Sequence, residues 1–464
     1  MIFDIIINVV VLIIPFLVIL NQIILYIFGR SYPDLGDIIS NSDTNSSVSL
    51  PKLSIIVPTK GEKIDIIQGL IDNLYKANWD KNKLEIIIVS DDNEQYFEEL
   101  VSKLYVPKGL EVKLYRREER LGYKSGALLY GFRKSTGDLI LTLDVDARIS
   151  EDSLIKAYYQ MLKFGCDAIT MEWHGYSENK NSSLARALMV STVITSKSIL
   201  RGRDRLGLKV MPIGCGTIYK RKILEDVGGW DYRMIQDDYE LGARLIKLGC
   251  KICSSSSPVF VEVPDNLISF YIQQTRWAMG TMEVLVNRFY HIINSKAKLY
   301  QKIEIIIYLS QYIPIILTFI GGLALAIASF TNFNINLSLP ILAIWVSALV
   351  AYAYIFIKAS VKMGISIVKS LQALGRLSAY TVGISPYLLV STIKAFSKSR
   401  TYVVTPKGTR VRNNKIGLPI LFFGIIFIFS SIIYFMRGDI INSIWLLYYS
   451  IGYLYTFIAF VKGL

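Results

Sequence analysis

Five uncharged, apolar runs constrain this chain most, and they stand in two blocks around a polar middle. Ile5–Phe28 lies at the start; Ile305–Phe330, Ile341–Ile357, Ile416–Phe435 and Ile441–Val461 lie toward the end. About 20 apolar helical residues cross the hydrocarbon of a bilayer, so each run is near the length of a span. A mean hydropathy of +0.40 and 52% hydrophobic residues are too apolar for one soluble globule. Asp4, Arg30 and the lack of a small-residue cleavage site make the first run a retained anchor. Lys and Arg crowd Lys358–Arg376 and Lys394–Lys415, while Thr331–Leu339 carries no charge. The positive-inside rule then places the middle of the chain in the cytoplasm and the N-terminus outside. The protein is expected to be a multi-pass integral protein of the cell membrane, in contact with membrane lipids. The formal charge of +14 follows the membrane flanks, which excludes nucleic acid as a partner.

This patterning divides the chain into an anchor (1–30), a linker rich in Ser, Asn and Asp (31–51), a folded middle (52–264), interfacial helices (265–304) and a membrane region (305–464). The last holds about four spans and a basic loop near 394–415. Residues 377–393 are apolar, but Pro386 interrupts them and basic segments flank them, so a re-entrant or interfacial segment is expected. The four cysteines, Cys166, Cys215, Cys250 and Cys253, fall in the cytoplasmic part, where buried, unpaired thiols are expected. Cys250 and Cys253 have half the spacing of a zinc site and no second pair.

Within the middle, Leu53–Val57, Leu84–Val89, Val112–Tyr115 and Leu139–Leu143 read as strands separated by helices. One helix has its apolar face at Ile64, Ile67, Leu70, Ile71 and Leu74. Alternation of this kind gives a parallel sheet wrapped on both faces, with ligands beyond the carboxyl ends of the strands. No G-x-G-x-x-G follows the first strand, which disfavours a dinucleotide oxidoreductase. Acid ends two strands instead: Ser90-Asp91-Asp92-Asn93 and Leu143-Asp144-Val145-Asp146. In extended chain, residues i and i+2 share a side. Asp144 and Asp146 are therefore hard oxygen donors suited to Mg²⁺ or Mn²⁺ that is also bound to a ligand's phosphates. Further on stand a Gly-rich turn (Met211-Pro212-Ile213-Gly214-Cys215-Gly216-Thr217), an acid-led helix from Gln236-Asp237-Asp238, and Gln273-Gln274-Thr275-Arg276-Trp277 on an amphipathic stretch.

Taken in this order, the clusters resemble the processive, membrane-integrated glycosyltransferases of family 2, the cellulose, chitin and hyaluronan synthases and their poly-N-acetylglucosamine relatives. The acid after the second strand, the D-x-D, the acid motif Gln236-Asp237-Asp238 and the Q-x-x-R-W carry the likeness. Gly122-Tyr123-Lys124-Ser125-Gly126-Ala127-Leu128 looks like the family's G-K-x-x-A-L element, and Tyr402–Gly408 looks like its F-x-V-T-x-K-G gating loop. The resemblance implies a GT-A (Rossmann-like, nucleotide-sugar-binding) α/β domain in the cytoplasm, inserted between transmembrane helices.

It also implies roles. Asp144 and Asp146 would hold Mg²⁺ or Mn²⁺ on the donor diphosphate, with Lys124 adding charge. Thr59, Glu62, Asp91 and Asp92 would line the nucleotide pocket. Asp238 matches the family's base and would give inversion at the anomeric carbon. Gly214, Gly216, Asp237 and Trp277 would face the acceptor. Gln273 and Arg276 would steady the diphosphate, and Thr405 and Lys407 would close over the nucleotide. The partners implied are a nucleotide-sugar donor, expected to be a UDP-sugar, and a glycan or lipid-linked acceptor. Gln236 and Asp237 stand where the family has Thr and Glu, and Pro58-Thr59-Lys60-Gly61-Glu62 departs from its P-x-Y-N-E. The alternative within the same fold is non-processive transfer of one sugar to a polyprenyl phosphate or lipid-linked glycan.

Overall fold

The computed structural model describes residues 2–30, 49–331, 333–397 and 416–462. The segment holding Thr405 and Lys407 lies outside them, as does most of the expected linker.

The middle of the chain builds one eight-stranded sheet in the order β3-β2-β1-β4-β7-β6-β8-β5. β1 (Leu53–Thr59), β2 (Leu84–Ser90), β3 (Glu111–Arg116) and β4 (Leu139–Thr142) run parallel. β1, β2 and β4 are almost continuously apolar because helices cover both faces, while β3, at the sheet edge, is mixed and partly exposed. The expected helix forms over Ile64–Tyr75 and buries Ile67, Leu70, Ile71 and Leu74 against this half. The chain winds outward from β1 through β2 to β3 and then returns to the other side of β1 for β4, and this reversal opens a crevice at the carboxyl end of β1.

One polar group inside this half is fully satisfied. Glu85 is inaccessible to solvent, accepts from Lys113 Nζ (2.8 Å), Thr136 N (2.5 Å) and Gly137 N (3.1 Å), and also binds Ser54 Oγ. Burial alone would raise its pKa, but these donors win and hold it down at about 2. The carboxylate thereby fixes the chain that enters β4, and with it the position of Asp144.

The second half of the sheet departs from the expected all-parallel arrangement. β7 (Thr217–Lys220) runs antiparallel to β4, and β6 (Ala168–Tyr176) runs antiparallel to β7. β8 (Ile252–Glu262) lies parallel to β6, and the short β5 (Arg148–Ile149) closes the edge antiparallel to β8. β8 escapes apolar patterning because it contains four consecutive serines. Part of their polarity is met inside the protein: Ser255 Oγ donates to Gln160 Oε1 (2.5 Å), and Ser254 N donates to Asp204 Oδ2 (2.8 Å).

β6 and β8 also correct the expectation for the cysteines. Ala168 pairs with Ile252 and Ile169 with Cys253, which brings Cys166 within a Cα–Cα distance of 6.0 Å of Cys253, and the two form a disulfide. They are 87 residues apart in sequence, and only strand pairing makes them neighbours. Cys215 and Cys250 are free thiols.

Among the described residues, four helices are long and apolar enough to cross a membrane: Ile2–Arg30, Leu339–Lys362, Gly417–Met436 and Ile440–Lys462. A fifth span is possible if Leu299–Leu309 and Ile313–Ser329, bent by 57° at the break between them, count as one. The apolar stretch 377–393 is divided between helices Ile367–Gly383 and Ser385–Lys394, with Pro386 in the first turn of the second. The N-terminal helix docks on Ser196–Gly202, the π-helical continuation of helix Ser183–Thr195. Backbone meets backbone there. A Cβ on Gly29 would stand 1.8 Å from Lys197 O, and one on Gly202 would stand 2.1 Å from Leu25 O. Only glycine permits this approach, which fixes the first helix to the sheet-bearing domain.

Candidate active site

One cavity of about 530 Å³ opens at the carboxyl ends of β1 and β4 and extends toward the apolar helices. Each part of its wall has a structural reason to be where it is. Thr59 ends β1, and Asp91 follows β2 directly. Asp144 and Asp146 follow β4, whose last residue pairs with Ile56 of β1. Lys124 sits in the first turn of helix Tyr123–Lys134, and Asp237 and Asp238 open helix Asp237–Leu248. Gln273, Arg276 and Trp277 share a side of the long helix Leu267–Ile293. All of these, with Glu62 and Gly214, line the cavity.

Two expected residues do not. Asp92 turns away to hold its own loop, with Oδ1 accepting from Gly61 N (2.7 Å) and Oδ2 from Ser90 Oγ (2.8 Å). Gly216 belongs to the sheet seam, where its N–H donates to Thr142 O and its carbonyl accepts from Met171 N, both at 2.8 Å. Asp91 reaches the cavity wall, but both its oxygens are engaged by Arg117, at 2.7 and 2.6 Å. This buried bidentate pair gives Asp91 a part in shaping the pocket. Thr59 Oγ1 is buried with no hydrogen-bond partner among the described residues, so it has hydrogen-bonding capacity to offer a polar ligand.

At the D-x-D, Lys124 Nζ donates to Asp144 Oδ1 (2.7 Å) and to Gly214 O (3.2 Å). Asp146 is buried, and its carbonyl is held by Tyr176 Oη (2.6 Å). The donor set of two carboxylates fits a hard divalent cation whose other ligands come from phosphate oxygens. Among the described residues no group of three or more metal-ligating side chains could hold an ion without such help.

Asp238 is held from three sides. Its Oδ1 accepts from Gln236 Nε2 (2.9 Å) and Tyr239 N (2.8 Å), and its Oδ2 accepts from Gly214 N (2.8 Å). Gly214 packs closely against this cluster: a Cβ there would lie 3.2 Å from Lys124 Nζ and 3.4 Å from both Asp237 and Asp238. Burial raises the pKa of Asp238, and the adjacent Asp237 charge raises it further. Asp237 is raised too, by burial and by Asp144, with Lys124 opposing. Two buried carboxyls side by side cannot ionise as readily as isolated ones, which is how a carboxyl is brought into the range of a general base.

A charge network locks this acid-led helix to the long helix. Ile235 N donates to Glu283 Oε2 (2.9 Å). Glu240, fully buried, accepts from Arg244 Nε (2.6 Å) and Arg288 Nε (2.7 Å), and Arg288 Nη2 also reaches Asp231 Oδ2 (2.5 Å). Arg288→Ala is expected to lower stability by about 3 kcal/mol, because it strips a partner from a buried carboxylate. Turnover should fall as well, since Asp238 and Trp277 stand on the two helices so joined. Thermal melting and turnover, with Arg288→Lys as the partial rescue, check this; unchanged turnover would leave the network a stabiliser only.

The cavity also contains residues that no motif marked. Glu262 ends β8 and Asp265 follows it, and burial with the nearby charges of Glu178, Glu62 and Asp265 pushes Glu262 up to about 6. Trp173 of β6 lies beside Trp277, with ring centroids 6.4 Å apart. Since β6 and β8 carry mixed patterns, only tertiary pairing could have placed these side chains.

Comparison with known proteins agrees with this architecture. Residues 54–228 match the family described as Glycosyl transferase family 2. A probable glycosyltransferase of Sulfolobus acidocaldarius is 48% identical over 467 residues, covering 99% of each chain. A poly-β-1,6-N-acetyl-D-glucosamine synthase of Staphylococcus aureus is 27% identical over 237 residues, which is 50% of this chain and 55% of that one. The mannosyltransferase PcManGT of Pyrobaculum calidifontis, solved with GDP-Man and Mn²⁺, superposes with a TM-score of 0.53 at 16% identity, over 86% of this chain and all of that one. The last likeness concerns the fold, which is GT-A-like. Identity of this level along the whole length of a relative, with the family match across the first half of the site, makes the chain a member of glycosyl transferase family 2.

Proposed function

We propose that this membrane glycosyltransferase inverts the anomeric carbon as it moves a sugar from a nucleotide sugar, with UDP-sugars the first class to test, onto a growing polysaccharide. The observation that carries the reading is the continuity of the cavity. Its sheet side bears the carboxylates and Lys124. Its far side is built by Ser191, Thr192, Gln274, Gln311, Tyr312 and Thr381, with Leu188, Phe270 and Leu377 among them, and none of these side chains is charged. Ser191 Oγ is buried and has no hydrogen-bond partner among the described residues. Uncharged hydroxyls and amides suit a neutral glycan better than a phosphate-linked lipid, whose anionic group would call for cations. The poly-N-acetylglucosamine synthase relative points the same way over half the chain.

In this reading Asp144 and Asp146 would hold a divalent cation, Mg²⁺ or Mn²⁺, which when bound would supply Lewis-acid neutralisation of the diphosphate. Lys124, already at Asp144, adds a second positive charge at the same end. Thr59 and Glu62 take the nucleotide, Gln273 and Arg276 the diphosphate, and Trp277 the terminal acceptor sugar. Asp238 accepts the proton of the acceptor hydroxyl as its oxygen bonds to the anomeric carbon and the bond to the diphosphate oxygen breaks. The nucleoside diphosphate leaves on the opposite face, which inverts the configuration. Thr405 and Lys407 are assigned to closure over the nucleotide by their motif alone. The sheet domain faces the cytoplasm and the N-terminus lies outside, on the distribution of Lys and Arg.

The test is nucleoside diphosphate release by the purified chain in detergent with Mn²⁺, across UDP- and GDP-sugars and with no added acceptor. Release with one donor, together with high-molecular-weight product, is expected. Release only when a lipid-linked acceptor is added would replace polymerisation by single transfer.

A further inference from the structure

We propose that Trp173 is the binding ring for the second sugar of the acceptor, one position behind the sugar on Trp277. This deepens the polysaccharide reading above and rests on it. Trp173 and Trp277 come from different elements, β6 and the long helix, yet both line the cavity. Their rings are tilted by 37° with centroids 6.4 Å apart. A saturated ring between two aromatic faces needs van der Waals contact on both sides, about 7–8 Å in all. The pair is therefore too close to clamp one sugar and instead offers two adjoining faces.

The Trp173 indole is fixed. Its Nε1 donates to Cys215 O (2.7 Å), and its backbone N donates to Ser196 Oγ (3.0 Å). Cys215 follows Gly214, whose N–H holds Asp238. One tight turn thus sets both the proposed base and the ring, so the platform has a defined offset from the reacting hydroxyl. Beyond Trp173 the wall continues to Ser191, whose buried hydroxyl has no hydrogen-bond partner among the described residues, and to Thr192, whose hydroxyl is held by Gly175 N and Met189 O. A pyranose has an apolar C–H face for an indole and a hydroxyl edge for such groups, so the ligand class is an uncharged oligosaccharide of at least two residues.

The experiment is calorimetric titration of the full-length chain in detergent with glucose, N-acetylglucosamine and mannose, each also as its β-1,4-linked disaccharide. Wild type should bind one disaccharide about tenfold more tightly than its monosaccharide, the worth of one aromatic contact. Trp173→Ala should erase that preference and Trp173→Phe should keep most of it, while Trp277→Ala should weaken monosaccharide and disaccharide alike. A wild type without preference, or a Trp173→Ala variant that retains it, overturns the proposal. Binding needs no turnover. A chain that binds disaccharides with this pattern but never extends them keeps the subsite and refutes the polymerising function.

Discussion

Asp238→Asn should abolish sugar transfer and leave nucleotide binding intact. The side chain keeps its shape and can still accept from Tyr239 N or Gly214 N, so the turn that it organises survives. It can no longer take a proton, and removal of a positioned base costs about 10²–10⁴-fold in rate. Turnover with the preferred donor, beside titration of UDP or GDP, separates the two effects; lost nucleotide binding would mean that this carboxylate belongs to the donor side. The pH profile gives a second handle. A base at this position must be ionised to work, and the pKa of Asp238 is raised by burial and by Asp237. Activity should therefore climb with pH through a limb lying above the ordinary carboxylate range. Asp237→Asn removes the neighbouring charge and should move that limb toward lower pH. For stability the sign is opposite: a carboxyl whose folded pKa is raised stabilises the fold in its protonated form, and that contribution fades as pH rises through the folded pKa. The working enzyme is expected to operate where this residue costs stability.

Asp146→Ala should remove metal-dependent nucleotide binding, by more than about 100-fold, since loss of even an outer partner of a metal ligand costs about 10–100-fold. Asp146 is buried, and its backbone is fixed by Tyr176, which holds its carboxylate in one place at the end of β4. Asp144→Ala should cost less. Asp144 is partly exposed and shares its charge with Lys124, which alone would still attract the diphosphate. Nucleotide affinity with and without Mn²⁺ for both variants decides the matter. Unchanged metal dependence in Asp146→Ala would place the ion elsewhere.

The half of the fold that carries β1 to β4 was legible because its information is local. A buried parallel strand is a continuous apolar run, and β1, β2 and β4 each end in the residues that face the crevice. Resolution failed at single-residue steps. Asp91 faces the cavity and Asp92 does not, Gly214 does and Gly216 does not, and which side of a turn a residue takes is set by what packs behind it. Arg117 could not be foreseen as the partner of Asp91, since nothing in a sequence assigns one arginine among many to a given carboxylate.

By itself the sequence determined the apolar helices, the acid at the strand ends, the order of the motifs and the family they resemble, all of which are written in neighbouring residues. Tertiary structure alone decided the antiparallel half of the sheet, the Cys166–Cys253 bond, the buried charge network around Glu240 and the pairing of Trp173 with Trp277. Each of these joins residues far apart in the chain. Such contacts follow from the register and packing of whole elements, whose energies no local pattern contains.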